Sequence, residues 1–292
     1  MVSEKIKYFS LRKICRSGQV FRMYERETGH FDVYSGVRHL RAVQQGDRVD
    51  FYCSREEFDG YWRRYFDLDR DYAKIVESVS PEDGFLKAAC GFGCDIRILH
   101  QDIWEMMVTF IISQQKQIPS IRKCVEALCE RFGEKMNDGE GTEWYAFPTP
   151  QSIAAGGPDG LKGLSLGYRE RYIYETAVRF LEKAIPDNEL EAMNYEAAKA
   201  YLLEYTGIGE KVANCILLFG AAFVDAFPID THIKDILFRE YYCRYEADGC
   251  NGVSDRDALS TADYRRLIDK YFGRYAGSRG IVQQWIFAYE VN

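Results

Sequence analysis

The chain has 292 residues, enough for two or three compact units, and its 47% hydrophobic and 28% charged residues are typical of a globular protein. The formal net charge of −7 argues mildly against a partner bound by bulk electrostatics, such as nucleic acid, although local charge and oriented backbone N–H groups can still bind one. No apolar run reaches the roughly 18 residues that a membrane span needs, and the first residues lack an apolar signal core, so we expect a protein of a prokaryotic cytoplasm.

Residues that could hold a metal are sparse. The chain has four histidines and nine cysteines, and without a secretion signal the cysteines indicate reduced thiols rather than a disulfide framework. Cys90 and Cys94 form one close pair, and Cys124 and Cys129 form another, but neither has a second pair at zinc-site spacing. We therefore expect buried thiols and no metal site.

The predicted elements change in type along the chain. Residues 1 to about 88 are rich in aromatic and β-branched residues, as in HFDVYSGVRHLRAVQQGDRVDFYCS, where QQGD predicts a hairpin turn. The next segment, SREEFDGYWRRYFDL, is predicted to be helical. Later helices are predicted in QDIWEMMVTFIIS, IPSIRKCVEALCERFG, RYIYETAVRFLEKAI, NYEAAKAYLLEY and GSRGIVQQWIFAYE, with a polar turn at MNDGEGTEW and a helix start in FPTPQSIAA. We predict an α+β fold, with an antiparallel sheet domain and its helices at 1–98 and two mostly helical subdomains at 99–292.

The stretch YTGIGEKVANC, residues 205–215, predicts a helix-hairpin-helix spanning 196–220. Gly207 and Gly209 allow backbone angles that other residues resist, so the chain can reverse and begin a new helix at Glu210. Unpaired N–H groups at the start of that helix form an anion site that a DNA phosphate fits, without basic side chains. A plain corner between two helices with a glycine cap explains the same stretch, and the stretch alone does not decide between them.

Lys211 and Asp230 stand out in this region. A helix N-terminus carries partial positive charge, so Lys211 in the first turn is electrostatically misplaced. Asp230 follows Pro228 at the position of a helix N-cap. Taken singly, Lys211 can be a solvated surface lysine and Asp230 a structural cap.

Five segments in order resemble the helix-hairpin-helix DNA glycosylases, and more narrowly their 8-oxoguanine DNA glycosylase branch. They are SGQVFRMYE, DIRILHQDIWEMMVTFIISQQKQI, LSLGYRERY, TGIGEKVANCI with FPIDTHI, and YAGSRGIVQQWIFAYE. The resemblance covers nearly the whole chain. It implies a bifunctional glycosylase and abasic-site lyase of base excision repair, which removes 8-oxoguanine from duplex DNA without a metal or organic cofactor.

The resemblance makes Lys211 the nucleophile and Asp230 its partner. A lysine attacks only as the neutral amine, and burial together with the positive helix end disfavours its charged form. The amine would attack C1′ of a flipped nucleotide and form a Schiff base, while the Asp230 carboxylate stabilises the cationic sugar. Glu210 opposes this if it points toward Lys211.

The resemblance also assigns the pocket for the damaged base. The Gly18 carbonyl would accept a hydrogen bond from N7–H of 8-oxoguanine, and guanine has no hydrogen there. Gln283 would contact the Watson–Crick edge of the base, and Cys215 and Phe287 would enclose its two faces. Gln283 and Phe287 are four residues apart, so a helix places them on one face.

The remaining assignments concern the DNA duplex. Gln115 would fill the gap left by flipping, Tyr168 would wedge beside it, Arg169 would contact the unpaired base and His232 a phosphate. Gly207 and Gly209 would bind the backbone through the hairpin. We expect double-stranded DNA containing 8-oxoguanine as the partner, a location at the nucleoid, and a monomer without an obligate protein partner.

The sequence departs from the family at one base-reading position. Relatives read the opposite cytosine with two arginines, one of which matches Arg169, but Ser120 occupies the other position. Arg122 is nearby, yet two residues along a helix turn a side chain by about 200°. We therefore predict a relaxed choice of opposite base.

Two alternative functions remain at this point. An endonuclease III-like enzyme for oxidised pyrimidines often holds a four-cysteine iron–sulfur cluster, and Cys243 and Cys250 match its first spacing, but no cysteine follows them. That enzyme type also lacks the N-terminal sheet domain. Alkylpurine glycosylases share the sheet domain but generally lack a lysine at the position of Lys211. A non-catalytic DNA-binding module would use the hairpin for phosphates alone.

Overall fold

The computed structural model of the protein describes residues 1–138, 141–243 and 256–291. Within these ranges, five strands near the N-terminus form an antiparallel sheet in the order β1-β5-β4-β3-β2. The strands are β1 (Val2–Lys5), β2 (Met23–Glu27), β3 (His30–Ser35), β4 (Arg38–Gln45) and β5 (Arg48–Phe51). The predicted QQGD turn joins β4 to β5, with Gln45 paired to Arg48 and Gly46 at a φ of +62°.

One face of this sheet is covered by aromatic side chains from the following helical segment. Val33, Leu40 and Phe51 are fully buried on the sheet, and Phe66 contacts the Phe51 ring with a centroid distance of 5.7 Å. The helices of this region are α1 (Leu11–Arg16), α2 (Arg55–Glu57), α3 (Arg63–Tyr65), α4 (Tyr72–Ser78) and α5 (Gly84–Gly93), and a π-helical segment, Phe58–Trp62, joins α2 to α3. The predicted sheet with helices against one face is confirmed.

The rest of the chain is mostly helical, as predicted. Its helices are α6 (Ile103–Ser113), α7 (Ile118–Phe132), α8 (Pro150–Ala155), α9 (Arg169–Lys183), α10 (Asp187–Ala192), α11 (Tyr195–Leu203), α12 (Glu210–Phe219), α13 (Thr231–Ile236), α14 (Thr261–Phe272) and α15 (Arg279–Val291). A π-helical segment, Leu237–Tyr242, continues α13, and short 3₁₀ turns lie at Arg256–Ala258 and Gly273–Tyr275.

Two helices hold the functional segments together. All residues of α6 except Ser113 are buried, and the helix packs against α7, α9 and α12. Helix α15 packs against α5 of the first region, where a Cβ atom on Gly93 would lie 3.0 Å from Cβ of Trp285. This close approach needs glycine, and it fixes the last helix against the N-terminal region.

The sequence analysis did not predict a short β-hairpin that lies in the helical region. Strands β6 (Lys135–Asn137) and β7 (Glu143–Tyr145) include the first two and the last two residues of the segment predicted as a polar turn. Three-residue strands are too short to show an alternating apolar and polar pattern. The sequence pattern therefore predicted only a turn here. Trp144 of β7 lies over the sheet domain, with its ring centroid 5.0 Å from that of His39.

The cysteines of the described ranges are free thiols, as predicted. Cys90, Cys124 and Cys129 are buried, and Cys94 is half-buried. Cys250 lies outside the described residues. Within the described ranges, no group of histidine, cysteine and carboxylate side chains could hold a metal ion, and no helix combines the length and the apolar character needed to span a membrane.

Candidate active site

The hairpin turn between α11 and α12 depends on one of its two glycines. Gly207 has a φ of +83°, and a Cβ atom there would lie 2.6 Å from Cδ2 of Tyr172. Gly209 is the N-cap of α12 with a φ of −94° and a ψ of −179°, an extended conformation that any residue adopts. The expectation that both glycines supply special backbone angles is therefore wrong for Gly209. Because Gly209 has no side chain, the N-cap position leaves the backbone N–H groups at the start of α12 open.

This difference predicts opposite outcomes for one substitution at two positions. Gly207→Ser should destabilise the protein by roughly 1–3 kcal/mol, because a side chain is strained at positive φ and meets the Tyr172 ring. Gly209→Ser should leave stability unchanged or slightly increased, because the site is open and serine is a good N-cap. Thermal unfolding of both variants measures the difference, and equal destabilisation would contradict the assignment.

Lys211 lies in the first turn of α12 and is half-buried. Its Nζ atom lies 5.4 Å from the centroid of the Phe110 ring, which stacks on Phe219. The carboxylate of Glu210 is engaged by Arg265, whose Nη2 lies 2.9 and 3.0 Å from its two oxygens. Glu210 is thus paired with an arginine of α14, and its carboxylate is less available for an interaction with Lys211.

Asp230 is the N-cap of α13, as the sequence predicted. Its Oδ1 atom accepts a hydrogen bond from the Ile233 backbone N–H at 2.8 Å. The cap uses one carboxylate oxygen and fixes the orientation of the side chain, and within the described ranges the second oxygen has no hydrogen-bond partner. The structural role and a role in chemistry are therefore compatible.

Lys211 and Asp230 line one cavity of about 50 Å³, together with four of the predicted base-contacting residues. The full lining is Gly18, Phe110, Lys211, Cys215, Phe219, Pro228, Asp230, Gln283, Gln284 and Phe287. The cavity shares residues with a groove of about 1170 Å³, which is lined by the loop at 113–119 and by the starts of α12 and α13. Segments far apart in sequence thus converge on one concave site.

The wall formed by Gly18 and α15 carries groups suited to a planar polar ring. Gly18 has a φ of +78°, and a Cβ atom there would lie 3.2 Å from Cε1 of Phe287. Gln283 is 3% exposed, and its Oε1 atom lacks a hydrogen-bond partner among the described residues. A buried acceptor without a partner at a cavity indicates a site for a donor on a ligand.

Cys215 lies one turn after Lys211 and is buried. Burial raises the pKa of the Cys215 thiol, and the nearby Lys211 partly offsets this while Asp230 adds to it. The sulfur is therefore a neutral, polarisable surface against which a ring can pack.

The groove lining includes three of the residues that the sequence analysis assigned to DNA contacts, namely Gln115, Gly209 and His232. Gln115 is exposed at a φ of +51°, at the tip of the loop between α6 and α7. His232 is also exposed, and its ring meets Phe287 edge-on at 6.0 Å. Gln114 ties the loop to the hairpin, since its Nε2 donates to the Gly207 carbonyl at 2.9 Å.

Tyr168 and Arg169 are not brought into the groove lining. Tyr168 is exposed, but Arg169 is 6% exposed and donates to the backbone carbonyls of Leu166 and Gln114. Arg122 donates to the Cys15 carbonyl at 2.7 Å. Ser120, two residues earlier on α7, is exposed.

Local patterns did not reveal several cavity residues. Phe110, Phe219 and Pro228 are apolar positions that resemble ordinary core in the sequence. Gln284 directly follows Gln283, but its contact is with Ser17, 267 positions away. No signal at short spacing could have identified it.

Comparisons with known proteins agree with this geometry. Residues 1–107 match the family model for the N-terminal domain of 8-oxoguanine DNA glycosylase, and residues 108–248 match the HhH-GPD superfamily of base excision DNA repair proteins. The structure of MBOgg1 in complex with a low-affinity DNA ligand is 31% identical, with a TM-score of 0.87 over 98% of this chain and 93% of that one. The chain belongs to the 8-oxoguanine DNA glycosylase family.

Further relatives are similar to this chain along most of its length. The Clostridium acetobutylicum 8-oxoguanine glycosylase/lyase, bound to duplex DNA with cytosine opposite 8-oxoguanine, is 29% identical with a TM-score of 0.85 over 99% of this chain and 97% of that one. The Saccharomyces cerevisiae N-glycosylase/DNA lyase is 28% identical over 79% of this chain and 68% of its own length. N-glycosylase/DNA lyase OGG1 of Arabidopsis thaliana is 28% identical over 89% of this chain and 72% of its own length. Membership confirms the predicted fold class and the enzyme class, a DNA glycosylase with lyase activity.

Proposed function

We propose that this enzyme removes 8-oxoguanine from duplex DNA and then cleaves the strand, with Lys211 as the nucleophile. The observation that supports this most directly is that Lys211 and Asp230 line the same cavity as Gly18, Gln283 and Phe287. A nucleophile, a carboxylate and base-contacting groups in one concave site match the needs of glycosidic bond cleavage.

The proposed reaction begins with a nucleotide turned out of the duplex into the cavity. The neutral amine of Lys211 forms a bond to C1′ as the bond from C1′ to N9 breaks, and the base leaves with the bonding electron pair and takes up a proton. The Asp230 carboxylate stabilises the positive charge that develops on the sugar. Loss of a proton and opening of the sugar ring give a Schiff base, and β-elimination from it expels the 3′ phosphate.

Recognition of the base is proposed to rest on donor and acceptor positions. The Gly18 carbonyl accepts from N7–H of 8-oxoguanine, whereas guanine would place a lone pair against it. The unpartnered Oε1 of Gln283 accepts from an N–H group on the Watson–Crick edge. The ring then packs between Phe287 and the Cys215 sulfur.

The duplex is proposed to lie along the groove. The backbone N–H groups at the start of α12, left open by Gly209, bind a phosphate, and His232 binds another. Gln115 fills the space of the flipped nucleotide, with Tyr168 beside it. Because its substrate is chromosomal DNA, the protein would act at the nucleoid of a prokaryotic cytoplasm.

Trapping with borohydride tests the proposal. The wild-type enzyme is incubated with duplexes that carry 8-oxoguanine, an oxidised pyrimidine, an alkylated purine or no lesion, with sodium borohydride present. We expect excision and a covalent adduct with the 8-oxoguanine duplex, because the reductant fixes the Schiff base. An adduct confined to the oxidised-pyrimidine duplex would favour an endonuclease III-like enzyme, and binding without excision would favour a non-catalytic module.

The position of Ser120 predicts a relaxed opposite-base preference. Serine is too short to replace an arginine that reads cytosine, Arg122 is held by the Cys15 carbonyl, and Arg169 donates to backbone carbonyls. We expect the rates of 8-oxoguanine excision opposite C, A, G and T to lie within about tenfold, the effect of a single weakened base contact. A large preference for C alone would contradict this prediction, and Ser120→Arg should increase discrimination in favour of C.

A further inference from the structure

The loop that carries Gly18 is held on both sides by buried glutamines. Gln284 of α15 donates from Nε2 to the Ser17 carbonyl at 2.6 Å. Gln101 donates from Nε2 to the Gln19 carbonyl at 2.8 Å. Ser17 and Gln284 are 1% and 2% exposed, so water does not compete for the bond between them.

The Gly18 carbonyl lies between these two clamped peptides. No donor among the described residues contacts it, and Gly18, at a φ of +78°, has no Cβ atom to resist rotation of the adjoining peptides. The direction of this carbonyl is therefore set by its neighbours rather than by contacts of its own.

We propose that Gln284 is a positioning residue for recognition of the damaged base. By fixing the Ser17–Gly18 peptide, it aims the Gly18 carbonyl at the position of N7–H and thereby sets the preference for 8-oxoguanine. The inference rests on the proposed function and deepens it.

The chemistry of the contact fixes the orientation of the Gln284 amide. A backbone carbonyl only accepts, so Nε2 rather than Oε1 of Gln284 faces Ser17. Without this donor, the buried Ser17 carbonyl lacks its partner and gains from rotating toward another one. Rotation of that peptide about the Gly18 backbone redirects the next carbonyl, which belongs to Gly18.

The position of Gln284 in α15 couples this clamp to the rest of the site. Gln283 precedes it and Phe287 follows three residues later, so one helix carries the base-edge contact, the stacking ring and the clamp. On the other side, the backbone N–H of Gln101 donates to the Phe219 carbonyl at the end of α12, the helix of Lys211. The loop of Gly18 is thus linked by hydrogen bonds to α15, which carries Phe287, and through Gln101 to α12, which carries Lys211.

The test compares two activities of Gln284→Met, which keeps the size of the side chain and removes its donor. Excision of 8-oxoguanine under single-turnover conditions should fall by about 5- to 100-fold, the effect of one misplaced buried hydrogen bond. Strand cleavage at a preformed abasic site should be unchanged, because that substrate has no base for the Gly18 carbonyl to recognise. The ratio of the two rates is the measured quantity.

Gln44→Met is the matched control. Gln44 also donates from Nε2 to backbone carbonyls, those of Phe9 at 2.8 Å and Gly46 at 3.0 Å, and its Oε1 accepts from the Leu11 N–H at 2.8 Å. It lies on β4, outside the cavity lining. Gln44→Met should leave the ratio of the two rates unchanged, because any effect of its lost contacts on the fold acts on both substrates. Should Gln284→Met fail to fold in thermal unfolding, Gln284→Glu keeps the size and polarity, and its carboxylate cannot donate to Ser17.

Each outcome decides between the two claims. A wild-type enzyme that leaves 8-oxoguanine in place refutes the proposed function and this inference with it. A wild-type enzyme that excises it, with Gln284→Met excising equally well, refutes only the inference. An equal loss of both rates in Gln284→Met would also refute it, because a general structural defect acts on both substrates.

Discussion

Lys211→Gln is expected to abolish both excision of 8-oxoguanine and formation of the borohydride adduct. Glutamine keeps much of the length of the side chain but has no nucleophilic amine, so no Schiff base can form. We expect the single-turnover rate to fall by at least about 10³-fold, as for loss of a catalytic nucleophile elsewhere. Fold and DNA binding should persist, because the side chain is half-buried and its observed ring contact is a single one, with Nζ 5.4 Å from the centroid of Phe110.

A second lysine serves as the control for loss of charge. Lys74 on α4 has a side chain that is 81% exposed, and Lys74→Gln should keep full activity and form the adduct. Duplex binding is measured for both variants by titration with labelled DNA. An adduct that persists in Lys211→Gln would assign the nucleophile to another lysine and overturn the mechanism.

The structure shows which partner the acidic neighbour of Lys211 takes. This neighbour, Glu210, which could have stabilised the ammonium form, is paired with Arg265 of α14. The pair is exposed, and its effect on folding is small. The pairing acts at the site itself, because it engages the Glu210 carboxylate with Arg265, which lies 55 positions later in the chain.

The candidate residues that could be predicted from sequence are those set by local rules. Asp230 follows a proline at the head of a helix, and the structure confirms it as an N-cap. The spacing of Gln283 and Phe287 depends only on helix periodicity, and both residues line the cavity. The helices α6, α7 and α9 have clear apolar periods and were predicted for the same reason, whereas α12 was predicted to begin at Glu210 after the glycine turn.

The features that were missed depend on contacts between distant segments. Gln284 acts on Ser17 through a bond that no local pattern encodes. The guanidinium of Arg169 donates to carbonyls of two loops and is buried between them, so its low exposure could not be inferred from its charge. Gly209 illustrates the opposite error, because a glycine in a turn suggests unusual angles that this one does not adopt.

Asp230→Asn separates the two roles of Asp230. Asparagine caps a helix as well as aspartate does, so the hydrogen bond to the Ile233 N–H and the stability of α13 should be retained to within about 0.5 kcal/mol. The amide carries no negative charge and cannot stabilise the cationic sugar, so excision should fall by about 10²- to 10⁴-fold. Asp230→Ala should lose a similar amount of activity and, in addition, about 1 kcal/mol of stability through loss of the cap. Thermal unfolding and single-turnover excision of both variants give the two effects separately. An active Asp230→Asn enzyme would show that the carboxylate serves the helix alone, and the charge that balances the sugar would have to come from another group.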